Sequence, residues 1–157
     1  MTDLERATSD AKAAIIRKSP FGDVLGIRVV DWAPGIVVLE FTIQQHLRNY
    51  VGTLHGGVLC AAADMAGTLS GCFTPHSESN ITAVTLSLTT NFIASVSEGT
   101  VRVVGRRRGG RKTFSASIDI FVGDLLIGVA QGTFRHVPGA ASRWRCERAE
   151  LRWKAWI

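Results

Sequence analysis

The sequence predicts an α+β domain in which an antiparallel sheet of about six strands wraps around one long central helix. Three observations predict it. Apolar periodicity gives the order helix, two strands, one long helix, four strands. Short loops join the last four strands, which implies antiparallel pairing. The long helix is apolar or small almost all round, so a sheet has to cover it. A chain of 157 residues suits one domain, and 46% apolar with 20% charged residues is ordinary for a packed globule. A core of that size needs neither disulfides nor a structural metal.

Residues 3–18 carry Leu4, Ala7, Ala11, Ala14 and Ile15 at helical spacing, and Ser19-Pro20 is read as the stop, giving an N-terminal helical unit over 1–20. The main domain spans 21–137. Its first strands are placed at 25–32 and 36–44 around the turn Ala33-Pro34-Gly35, with Val37, Leu39, Phe41 and Ile43 on one face. A polar loop follows, containing Arg48-Asn49-Tyr50. The central helix is placed at 56–73 and closed by Thr74-Pro75. Four strands complete the domain at 82–93, 100–107, 112–122 and 125–136. Val84, Leu86, Leu88 and Phe92 alternate in the first, and Phe114, Ala116, Ile118, Ile120 and Val122 in the third. Gly109-Gly110 and Gly123-Asp124 supply turns. Residues 138–157 form a basic tail with Trp144, Trp153 and Trp156, read as a segment that docks on a partner chain, touches membrane or is disordered.

The net charge is +5, concentrated at Arg106-Arg107-Arg108 with Arg111-Lys112 and in the tail. The arginines do not alternate with aromatics, so no nucleic-acid partner is expected. A small phosphorylated ligand or plain solvated charge accounts for the hairpin cluster. Cys60, Cys72 and Cys146 have no metal-ligand spacing; no metal is expected, and a reducing compartment is. The N-terminus lacks the apolar stretch of a signal peptide, and no apolar run reaches the length of a membrane helix, which together predict a cytoplasmic protein.

The central helix carries the chemistry. Val58, Ala62, Met65, Leu69 and Cys72 read as its core stripe; Gly57, Ala61, Asp64, Gly67, Thr68 and Gly71 read as a second stripe of small residues. Asp64 is the one carboxylate between Gly56 and Phe73, with no Lys or Arg three or four residues away. Burying it unpaired would cost several kcal/mol, so it is solvated, paired at long range, or used. The small neighbours favour a ligand or a second chain beside it. The helix start, His55-Gly56-Gly57, presents backbone N–H groups at a positive helix end, where an oxyanion would be held; a plain glycine-rich helix start is the alternative. Gly56 and Asp64 are eight residues apart, about 12 Å along a helix. One carbonyl does not reach both within one chain, so two helices across a two-fold axis would build two composite sites.

Asn49-x-x-Gly52-Thr53-x-His55-Gly56-Gly57-x6-Asp64 resembles the motif of hotdog-fold thioesterases of the phenylacetic-acid-degradation type. Residues 83–92, 105–113 and 130–134 resemble that family's later strands, and the likeness runs from Phe21 to His136. The resemblance implies hydrolysis of an acyl- or aroyl-CoA thioester, with Asp64 as general base or nucleophile and the Gly57 N–H as oxyanion donor. It implies that Asn49 orients thioester or water, that Gly56, Thr68 and Thr85 line the site, and that His55 shapes the loop more than it acts as a base. Arg106, Arg107, Arg108 and Arg111 become candidates for the coenzyme's phosphates by charge. No separate cofactor is implied, coenzyme A being part of the substrate, and the assembly is a homodimer or a dimer of dimers. The competing readings are a hotdog dehydratase or hydratase, whose Asp-x4-His pattern is absent around Asp64, and a non-catalytic acyl-CoA-binding protein, against which Asp64 and Asn49 argue.

Overall fold

The computed structural model describes residues 19–73 and 82–137. The helix expected over 3–18 and the basic tail lie outside the described residues. At Ser19-Pro20, read as the stop of the helix over 3–18, a helix begins: α1 runs Pro20–Leu25, and the Ser19 hydroxyl accepts from the Gly22 N–H at 3.1 Å. Proline at the first helical position needs no N–H partner, so the same dipeptide that cannot continue a helix begins one well. Gly26 closes α1 in the left-handed conformation, φ 67°.

The strands are β1 (Arg28–Ala33), β2 (Ile36–Thr42), β3 (Thr82–Phe92), β4 (Thr100–Gly110), β5 (Thr113–Val122) and β6 (Leu125–Val137). A short 3₁₀ turn, Gln45–Leu47, precedes the Asn49 loop, and α2 runs Gly56–Ser70. The six strands form one antiparallel sheet in the order β1-β2-β4-β5-β6-β3. Gly109 and Gly110 belong to β4 rather than to the turn, which is Arg111-Lys112. Gly110, φ 96°, lies so close to the Thr113 carbonyl that a side chain there would clash. The register shifts between Arg107 and Gly109 in β4 and between Thr85 and Ser87 in β3.

The alternating faces read from β2 and β5 are the core. Val37, Leu39, Phe41 and Ile43 are buried, as are Phe114, Ala116, Ile118 and Ile120. The face of α2 matches the expected stripe at Ala62, and at Cys72 just beyond its end, both buried, and departs from it elsewhere. Its buried residues are Leu59, Ala62, Ala63, Ala66, Gly67 and Ser70, while Val58, Met65 and Leu69 are half-buried. Gly67 and Gly71 make room for core rings, not for a ligand or another chain. A Cβ at Gly67 would stand 2.2 Å from Phe134 Cζ, and one at Gly71 equally close to Phe114 Cζ. Those two rings stack at 5.4 Å. From the sheet, Gly105 approaches the Ala66 carbonyl, where a Cβ would lie 2.4 Å from the oxygen. The Trp32 indole N–H donates to the Leu69 carbonyl at 2.9 Å, tying β1 to the same helix. Strand β3 departs from the expected core pattern: Val84, Leu86 and Phe92 are exposed, and of the four alternating residues Leu88 alone packs against the core.

Gly67→Ala should unfold at lower denaturant. Overpacking costs about 1–3 kcal/mol, more than the roughly 1 kcal/mol that alanine gains in a helix. A fall in the urea midpoint at unchanged slope checks it.

Candidate active site

The sheet curls until its two edges face each other across α2. Strands β1 and β2 supply Ile27 (just before β1), Val29 and Leu39 to one wall of a cavity; β3 supplies Ala83, Val84 and Thr85 to the other. Asp64, Met65, Thr68 and Leu69 of α2 form its back, and Ser19 and Gly22 of α1 cover it. The cavity holds about 380 Å³. Ile27 and Leu39 are buried, Asp64 is half-buried and Thr85 is exposed, so the apolar floor lies inside and the polar mouth outside.

Asp64 Oδ1 accepts from the Thr85 hydroxyl at 2.5 Å. Among the described residues the ion pairs are Arg28–Glu40, Arg102–Glu40 and Arg106–Asp119, and none involves Asp64. The carboxylate is therefore oriented by a neutral donor, and its second oxygen accepts from none of the described residues. Thr68 lines the same cavity one turn further along α2.

His55 is the N-cap of α2, and its Nδ1 accepts from the Gly57 N–H at 2.8 Å. That contact leaves Nδ1 unprotonated and the proton, in the neutral ring, on Nε2. The N–H expected to hold an oxyanion is thus engaged by the ring. The His55 carbonyl takes the Val58 and Leu59 N–H groups, so the Gly56 N–H is the one at this helix end with no partner among the described residues. Gly56 lies under the Phe92 ring, with a Cβ there 3.1 Å from Cζ.

Asn49 is turned into its own loop. Its Oδ1 accepts from the Val51 and Thr53 N–H groups at 3.1 Å each, and its Nδ2 donates to the Thr53 hydroxyl at 2.9 Å. Gly52, φ 85°, completes the turn. Asn49 shapes the segment that leads into His55, with one Nδ2 proton left over.

The arginine cluster is not brought to the cavity. Ser117 and Asp119 sit between buried Ala116, Ile118 and Ile120, hence on the sheet face turned away from α2. Arg106 pairs with Asp119 at 2.7 Å and Arg108 Nε donates to the Ser117 hydroxyl at 2.7 Å, so both occupy that outer face. Arg107 donates to the Gly110 carbonyl and stacks 5.2 Å over Phe114; Arg111 is exposed in the turn. Cys72 is no nucleophile: burial pushes its thiol up to about 11, with Arg107 pulling the other way. Sequence reasoning missed Gly22, Ile27, Val29 and Leu39 as cavity walls. No local pattern marks them, because only the curl of the sheet and the packing of α1 bring them to Asp64.

A six-stranded antiparallel sheet folded around one long helix is the hotdog architecture. The family model described as Thioesterase superfamily matches residues 51–128, from the Asn49 loop into β6. A model described as a domain of unknown function (DUF4442) matches residues 8–81. Acyl-coenzyme A thioesterase 13 of Homo sapiens is 26% identical over 121 residues, covering 76% of this chain and 86% of that protein. Conserved protein PA5202 of Pseudomonas aeruginosa superposes with a TM-score of 0.70 at 29% identity, over 76% of this chain and 94% of that one. The PaaI protein from the E. coli phenylacetic acid degradation operon shares the fold, with a TM-score of 0.74 at 21% identity, over 87% and 98% of the two chains. The chain has the hotdog fold of these thioesterases and is a thioester hydrolase.

Asn49→Ala should loosen the loop. Amide exchange at Val51 and Thr53 should speed up about fivefold for each bond of roughly 1 kcal/mol lost, as read by hydrogen–deuterium exchange.

Proposed function

We propose that this protein hydrolyses an acyl- or aroyl-CoA thioester to the free acid and coenzyme A, at two sites shared between two copies of the chain. The observation that carries it is Asp64, unpaired with any cation among the described residues, held by Thr85 at the mouth of an apolar cavity. The acyl group lies in the cavity with its carbonyl at the mouth. Asp64 takes a proton from water as the water oxygen bonds to the carbonyl carbon, or its carboxylate attacks first and water opens the mixed anhydride. The C–S bond breaks, coenzyme A leaves as the thiolate and takes up the proton, and the acid is released.

Developing charge on the carbonyl oxygen needs N–H donors, and the start of α2 in the same chain is about 12 Å from Asp64. Strand β3 supports a second copy as their source. It is an edge strand paired only with β6 among the described residues, and it exposes Val84, Leu86 and Phe92. Its two ends carry the two half-sites: Thr85 touches Asp64, and Phe92 lies against Gly56. Antiparallel pairing of two β3 strands about their middles sets the Phe92 end of one beside the Thr85 end of the other. The helix start of one copy then meets the carboxylate of its mate. The incoming oxyanion displaces the His55 ring from the Gly57 N–H and takes the Gly56 N–H beside it. No cofactor enters the reaction beyond the coenzyme A of the substrate.

Asp64→Asn should lose at least ~10²-fold in kcat while its circular dichroism is unchanged, measured by thiol release from a panel of acyl- and aroyl-CoAs; full activity in this variant would refute the assignment. Light scattering should show a dimer or larger for the native chain and a monomer for Leu86→Arg, with activity lost in the monomer. A stable, fully active monomer would overturn the shared site.

A further inference from the structure

We infer that Met65, seated against Gly22, is the specificity-determining residue that limits the substrate to straight-chain acyl groups of about eight to twelve carbons. The inference rests on the thioester reading and adds the class of acyl group. The cavity runs from a polar mouth at Asp64 and Thr85 to a floor where Ile27 and Leu39 are buried. Its 380 Å³, at roughly 30 Å³ for each water-sized methylene, is room for about a dozen carbons, part of which the thioester end takes up. The floor is aliphatic. An alkyl chain meets that floor at no desolvation cost.

Met65 sets the length because it reaches across this space to α1. A Cβ built on Gly22 would lie 3.0 Å from the Met65 Cε, so the methionine methyl already touches the α1 backbone. Glycine at position 22 leaves just the room that methyl needs. Met65 is also unbranched and half-buried, so its side chain can be shortened without opening the sealed core around Ala66 and Gly67. Removing three heavy atoms from Met65 adds room for about three methylenes, and each methylene a pocket accepts or rejects is worth about tenfold or more in kcat/KM.

The test is the kcat/KM profile of the full chain on CoA thioesters from acetyl to palmitoyl, with benzoyl- and phenylacetyl-CoA beside them. The native profile should peak at eight to twelve carbons. Met65→Ala should move the peak two to four carbons longer and raise the palmitoyl value about tenfold. Gly22→Ala, which drives the Met65 methyl into the cavity, should move it one to two carbons shorter. Profiles unmoved in both variants of an active enzyme, or an aroyl-CoA preferred over every straight chain, would overturn this inference and leave the hydrolase reading intact. Hydrolysis of none of the thioesters by the native chain would overturn both.

Discussion

Everything in this fold depends on how closely one helix can be approached by a sheet. Ala66 faces Gly105, Gly67 faces Phe134 and Gly71 faces Phe114, each contact too tight for another methyl. These small-against-large pairings let β4, β5 and β6 lie almost on the helix backbone, and close packing at that distance leaves no slack. The sheet must then curl around α2, and its edges, β1 and β3, arrive on the one side of the helix that no strand covers. The seam so formed is where Asp64 can be half-buried yet reachable. A looser contact in the core would flatten the sheet and spread the walls of the cavity apart.

Around the carboxylate, the supporting hydrogen bonds are local and neutral. Thr85 fixes Asp64, His55 caps α2, and Asn49 folds the loop that delivers His55. None brings a full charge to the site. A cation beside Asp64 would hold it ionised but would also compete with water for its oxygens. A hydroxyl orients it without that competition.

Much of this was legible in the sequence because alternation and loop length are local. Strands β2 and β5 alternate strictly, and both faces are as expected. The place of Asp64 in the cavity was legible because a lone carboxylate on an apolar helix is anomalous wherever it sits. The buried face of α2 was not, since a helix without a polar side has no rotational phase to read; Val58 and Leu59 are equally apolar, and packing against Phe134 and Phe114 chose between them. Strand β3 alternates as a core strand would, but Val84, Leu86 and Phe92 are exposed at a sheet edge, and alternation does not distinguish a buried face from an exposed one. The arginines drew attention through charge alone, which says nothing of which sheet face carries them. The Ser19-Pro20 pair was ambiguous in direction, because the same dipeptide suits both the end and the beginning of a helix.

The irregularity in β3 between Thr85 and Ser87 has one further effect. Ser87, Thr89 and Asn91 stand opposite Thr133, Gln131 and Val129, whereas Thr85 stands opposite the buried Phe134. Had the strand run on with unbroken parity, position 85 would share the side of 87, 89 and 91 and point its hydroxyl away from the helix. One extra residue in the ladder reverses it. The reach of this threonine to the carboxylate is thus a matter of counting: losing Leu86 would leave every functional group in the chain, and aim one of them the wrong way.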